Sequence, residues 1–199
     1  MSKKAITLAL GLAAVSSVQI TAEAASVSAG KDAFESCRGC HSAVGYSNVY
    51  PTYYVPKVGG QVAAYTVAAL TAYKESKRPH GTMMANAYDM SEKTMENIAA
   101  YLATAEGSSK AIANGGDAAN GKKLAESCLA CHNDNVSEGA SNPRLAGQHA
   151  NYMEKAMSEY QSGKRQNALM QSMVQGLSAE EINDIAAYFT SLKGLTAVK

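Results

Sequence analysis

After Ser91 the apolar positions fall at Met95, Ile98, Ala99 and Leu102, a spacing of i, i+3, i+4 and i+7. That spacing lays one apolar stripe along a helix. Ser91 stands where a hydroxyl caps the free N–H groups of the first turn. Ile182, Ile185, Ala186 and Phe189 repeat the stripe behind Ser178 and Glu181, which form a capping-box pair. The stretches 61–77 and 148–164 also read as helices, each followed by a loop holding several Met residues. No stretch alternates as a strand does, so an all-α chain is expected. The N-terminus follows a different pattern. Lys3 and Lys4 precede a mostly apolar run, Ala5 to Val18, and then the small-x-small triplet Ala22-Glu23-Ala24. This predicts a secretory signal peptide over 1–24. The apolar run is shorter than the roughly 20 residues that span a bilayer.

The chain repeats itself. At an offset of 91, Gly30-Lys31 matches Gly121-Lys122, Glu35-Ser36-Cys37 matches Glu126-Ser127-Cys128, and His41 matches His132. Further on the offset becomes 87. Pro56, Gly60, Gln61 and Tyr65 match Pro143, Gly147, Gln148 and Tyr152. Lys77-Arg78 matches Lys164-Arg165, Met83 matches Met170, and 98–101 matches 185–188. The first copy therefore holds four extra residues, in or near the tyrosine-rich stretch 46–54, "YSNVYPTYY". Packing under a loop is its expected role, with a docking surface as the alternative. Repeats are units that stack or pair. The expected division is 25–105 for the first unit, 106–116 for a linker rich in Gly, Ala, Ser and Asn, and 117–199 for the second. Units of this size bury a modest core, which a bound cofactor would complete.

Charge and cysteine usage narrow the function. The whole chain carries a formal +1. Removing Lys3, Lys4 and Glu23 with the signal peptide leaves basic and acidic side chains in equal number. Such a chain has no electrostatic footprint for nucleic acid. All four cysteines lie in "CRGCH", 37–41, and "CLACH", 128–132. A structural zinc site needs four ligands, and each motif offers three. A thioredoxin-like pair needs a βαβ context that is missing. Covalent haem attachment fits. Cysteines at i and i+3 share a face of a helical turn and reach the two vinyl groups of one porphyrin, with the next residue, His, placed to bind iron. Cys37, Cys40, Cys128 and Cys131 are thus the expected attachment points of two haem c groups, and His41 and His132 the proximal iron ligands.

The repeat also selects the other iron ligand. Met83 lies 42 residues after His41 and Met170 lies 38 after His132, and the difference is the insertion. Met83 and Met170 are the expected distal ligands. Met95, Met153 and Met157 are expected as core filler. His80 aligns with Asn167 and His149 with Val62, so neither recurs, and both are expected to be exposed.

"PRLAGQHANYMEKAMSEYQSGKR", 143–165, and "LSAEEINDIAAYF", 177–189, resemble dihaem cytochrome c4. The resemblance covers 30–104 and 117–193, with the first copy more divergent. It implies two tandem class I cytochrome c domains related by a pseudo-twofold. The Pro56 and Pro143 carbonyls then accept the Nδ1 protons of the proximal histidines, and Gly30 and Gly121 let the first helix of each unit cross the last. It also implies an electron carrier rather than an enzyme, in the periplasm, soluble or attached peripherally to the inner membrane, and a monomer. Its partners are redox proteins: a terminal oxidase, with a quinol-oxidising complex or small donor upstream. The rival is a dihaem redox enzyme of peroxidase or thiosulfate dehydrogenase type. A peroxidase needs an open haem, whereas both copies keep their Met. A thiosulfate enzyme of thiolate type needs a further Cys, and none is left.

Overall fold

The computed structural model describes residues 24–48, 52–133 and 141–199. The signal-peptide expectation falls on residues outside that set. Helices α1 (Val27–Phe34), α2 (Arg38–His41), α3 (Ala63–Lys74), α4 (Gly81–Ala87) and α5 (Glu92–Thr104) build the first unit. Helices α6 (Ala118–Leu124), α7 (Leu129–His132), α8 (Ala150–Gln161), α9 (Ala168–Val174) and α10 (Ala179–Ser191) repeat the order in the second. The stripes predicted from periodicity are the buried faces: Met95, Ile98, Ala99 and Leu102 on α5, and Ile182, Ile185, Ala186 and Phe189 on α10. Ser91 caps α5 through its bond from Thr94 N, and the Ser178–Glu181 capping box closes the start of α10.

In each unit the first helix crosses the last at a glycine. A Cβ on Gly30 would sit 1.8 Å from the Asn97 carbonyl oxygen, and one on Gly121 would sit 1.9 Å from that of Asp184. No side chain fits there, so the crossing demands glycine. Around the crossings lie two cores. Phe34, Leu70, Met95, Ile98 and Leu102 form the first, and Ala125, Ala150, Met153, Ile185, Ala186 and Phe189 the second.

Four features depart from the sequence expectations. The Met-bearing segments are short helices, α4 and α9, because His80 and Asn167 cap them. Among the described residues there are two small antiparallel pairs: β1 (Ser47–Asn48) with β2 (Tyr53–Tyr54), and β3 (Gly107–Ser108) with β4 (Ala197–Val198). Two-residue strands are too short to show alternation. The C-terminal residues, expected with the second unit, return to the first. Val198 is buried in the first core and Thr196 bridges to Gly59. Finally, 106–116 is not a free tether. Lys57 Nζ donates to Ser109 O, Ala150 N donates to Ile112 O, and Asn114 Nδ2 donates to Asn183 O.

The two units meet through exchanged contacts. Gln61 Nε2 donates to Arg144 O at 3.2 Å, and Arg144 N donates to Gln61 Oε1 at 2.8 Å. Gln148 does the same with Lys57, at 2.9 Å for both bonds. Residues 57 and 61 correspond to 144 and 148 in the repeat, so the junction has pseudo-twofold symmetry. Each buried amide satisfies a backbone N–H and C=O of the other unit, which would otherwise lose their water partners.

Candidate haem sites at the junction of the two units

The start of each site is a short helix ending in histidine. A 3-10 turn, Glu35–Cys37, runs directly into α2, which carries Cys40 and ends at His41. Cys128 is the N-cap residue of α7, which ends at His132. No two of the four cysteines are joined in a disulfide, and Cys131 is exposed. Burial raises the Cys37 and Cys128 thiols above the ordinary cysteine value, opposed by hydrogen bonds from Ser36 and Ser127. His41 Nδ1 lies 2.9 Å from Pro56 O, and His132 Nδ1 lies 2.8 Å from Pro143 O. A carbonyl only accepts, so Nδ1 carries the proton and Nε2 keeps its lone pair. Burial lowers both histidines below their ordinary value, and the proline carbonyls oppose the shift. Both rings are therefore held neutral with Nε2 available, the state and orientation that metal ligation requires.

A cavity of about 440 Å³ spans the junction. Cys37, Cys40, His41 and Met83 line one part of it, and Cys128, Cys131, His132 and Met170 line the other. Met83 rises from α4, where His80 Nδ1 accepts from Met83 N at 3.2 Å. Met170 rises from α9, where Asn167 Oδ1 accepts from Met170 N at 3.0 Å. Neither His80 nor His149 is the exposed residue expected. His80 is half-buried because it caps α4, and His149 is 3% exposed because its Nδ1 accepts from Ile112 N at 3.0 Å.

Sequence reasoning did not single out the polar centre between the two sites. Arg78 Nη2 donates to Tyr152 Oη at 2.5 Å, and Arg165 Nη2 donates to Tyr65 Oη at 2.9 Å. These are again exchanged partners, since 65 and 78 match 152 and 165. Each guanidinium also lies over a tyrosine ring of its own unit, Arg78 over Tyr73 at 4.5 Å and Arg165 over Tyr160 at 4.7 Å. Burial disfavours the Tyr65 phenolate, but the two guanidiniums outweigh it and pull the hydroxyl down to about 8. Arg78 and Arg165 are buried, and among the described residues neither meets a carboxylate. The signal was present in the repeated Lys-Arg pairs, 77–78 and 164–165, after the third helix of each unit.

Two buried cations without counter-charges are costly, roughly several kcal/mol each. Both face the cavity. A haem brings an apolar macrocycle with two carboxylates, so these residues fit it: apolar walls, thiols and neutral histidines at one end of each site, and guanidiniums between them.

Comparison with known proteins agrees. The family described as Cytochrome c matches residues 27–106 and 118–193. Cytochrome c4 of Pseudomonas aeruginosa is 30% identical over 206 residues, spanning 96% of this chain and 100% of that protein. The thiosulfate dehydrogenase electron acceptor of Stutzerimonas stutzeri is 26% identical over 171 residues, 78% of each chain. The crystal structure of reduced recombinant cytochrome c4 from Pseudomonas stutzeri superposes with a TM-score of 0.72 at 27% identity, covering 85% of this chain and 100% of that one. With two copies of one haem-binding unit joined about a pseudo-twofold, the chain belongs to the cytochrome c4 family, whose members are electron-transfer proteins carrying two covalently bound haem c groups.

Proposed function

We propose that this protein is a periplasmic carrier that takes electrons from one respiratory protein and delivers them to another, with a terminal oxidase as acceptor. In this reading residues 1–24 are a signal peptide, 25–105 and 117–199 are the two cytochrome domains, and 106–116 joins them. Cys37 and Cys40 anchor the first haem, and Cys128 and Cys131 the second. His41 and His132 are proximal ligands, and Met83 and Met170 distal. Each bound haem supplies a one-electron iron centre. The chain's own contribution is to keep that centre unchanged through the cycle. The Pro56 and Pro143 carbonyls fix the histidine rings, and the His80 and Asn167 caps hold the methionine backbones. Thioether ligation favours a higher potential than a second histidine. Arg78 and Arg165 offer their charge to haem carboxylates at the junction.

The observation that carries this reading is the shared cavity, lined by a Cys, Cys, His and Met set from each unit. Two sites opening into one space suit electron passage between them, with one as entry and the other as exit. A thiosulfate-oxidising enzyme is a fitting donor, given the relative named as its electron acceptor. Among the described residues no helix is long and apolar enough to cross a membrane.

The test is spectroscopic and then functional. The exported protein carries two covalent haems by mass, its oxidised form shows the sulfur-to-iron near-infrared band at both, and its reduced form binds CO slowly. The reduced protein is then oxidised by a membrane terminal oxidase in catalytic amount. Rapid CO binding at one haem, or turnover of peroxide or thiosulfate by the purified protein alone, overturns the carrier reading in favour of an enzyme.

A further inference from the structure

We propose that Tyr53 is a positioning residue for the first haem site: its hydroxyl pairs with His80 Nε2 and so holds in place the ring whose Nδ1 caps the Met83 segment. The inference rests on the reading of Met83 as a distal ligand.

His80 Nδ1 accepts from Met83 N, so Nδ1 carries no proton. In the neutral ring the proton then sits on Nε2. Nε2 lies 2.5 Å from Tyr53 Oη, so its N–H donates to the phenol oxygen. Tyr53 is 5% exposed and comes from β2, the strand that closes the tyrosine-rich insertion. The second unit backs it from the other side. Lys155 Nζ, on α8, lies 4.8 Å from the centre of the Tyr53 ring. Next to it, Tyr54 N donates to Asn151 Oδ1 at 3.1 Å and the Tyr54 ring packs on His149 at 5.4 Å. The hairpin is thus braced against α8, and through Tyr53 that brace reaches the backbone of Met83.

The second site is built without this relay. Asn167 caps Met170 N with an amide oxygen, which accepts in any state of its surroundings. An imidazole accepts at Nδ1 only while its proton stays on Nε2. Copy one has His where copy two has Asn, and the inserted hairpin supplies the oxygen that pairs with the Nε2–H of the accepting ring. The role is more than core packing because it depends on one oxygen atom and on one tautomer.

Tyr53→Phe keeps the ring and its contact with Lys155 but removes the oxygen. Losing the cap frees the Met83 segment. The expected result is that imidazole displaces the distal methionine of the oxidised first haem about fivefold more readily, the effect of losing one helix cap. The second haem is unchanged. The haems are told apart in the reduced protein by their ring-current-shifted methionine methyl signals, with Met83→Ala marking the first. The double variant Tyr53→Phe/His80→Asn installs the cap of the second copy and returns displacement to the wild-type level, and His80→Asn alone matches wild type. Covalent haem content by mass certifies assembly in every variant. Equal displacement in Tyr53→Phe and wild type, loosening of both haems together, or failure of His80→Asn to rescue overturns the proposal. Both methyl signals surviving Met83→Ala removes the ligand assignment and the inference with it. Loss of one signal, without loosening in Tyr53→Phe, removes the positioning role alone.

Discussion

At the scale of single residues the open choice is among neighbouring methionines. Met83 and Met84 are adjacent on α4, and both are half-buried. Only Met83 lines the cavity, whereas Met170 and Met173 of α9 both do. Met173 is 43% exposed, and the repeat pairs it with Asn86, which is no thioether. The caps act on Met83 N and Met170 N and so treat these two alike. Met83→Ala and Met170→Ala are each expected to abolish the near-infrared band of one haem and lower that haem's potential. Met84→Ala and Met173→Ala should leave both bands in place. Retention of both bands in either of the first two variants shows that the repeat register misassigns the ligand. The cap itself was half legible. Asn167 is a common N-cap residue and aligned with His80, but histidine is an unusual cap, and its mismatch with Asn suggested an exposed position instead.

At the scale of elements, what repeats was legible and what joins the repeats was not. The stripes on α5 and α10 and the capping serines follow from local spacing, and that spacing survives in both copies, whereas the crossing role of Gly30 and Gly121 came from the family resemblance. The return of β4 to β3 rests on two-residue strands that have no periodicity to read. Lys57 is harder still: it is 2% exposed, against the ordinary preference of lysine, because Gln148 and the 106–116 segment close over it. Burial lowers its ammonium to about 8. The glutamines are therefore the elements' fasteners. Gln148→Leu leaves the Lys57 N–H and C=O without partners in a buried place, at a cost of about 1–3 kcal/mol for each group. Gln61→Leu costs less, because Arg144 is only half-buried. Thermal unfolding that ranks Gln148→Leu below Gln61→Leu, and both below wild type, is the expected outcome. Equal stability of all three would mean that water replaces the amides without loss.

For the molecule as a whole, the junction is where acid should act first. His149 gathers three parts of the chain: it precedes α8, its Nδ1 accepts from Ile112 N of the joining segment, and its ring packs on Tyr54 of the first unit. Burial, and then the nearby Lys57 ammonium, pull its pKa down to about 4. A histidine in the unfolded chain titrates near 6.5. Between about 6.5 and about 4 the unfolded chain therefore binds a proton that the folded chain refuses. Stability falls as pH drops through that window and is constant above it, as far as this group is concerned. By about pH 5 the loss amounts to about 1–2 kcal/mol. Acid titration of the carboxylates and of His80 adds its own slope, so the measurement is a difference. Urea unfolding of wild type and His149→Gln at about pH 7.5 and about pH 5 isolates it, because the other groups titrate in both proteins and cancel. The glutamine variant is expected to be the less stable at the higher pH, where the neutral imidazole packs and accepts from Ile112 N. Its deficit should shrink or reverse at the lower pH. A deficit independent of pH would show that His149 takes up its proton without strain in the folded junction, and that the units are not held together by its neutral form.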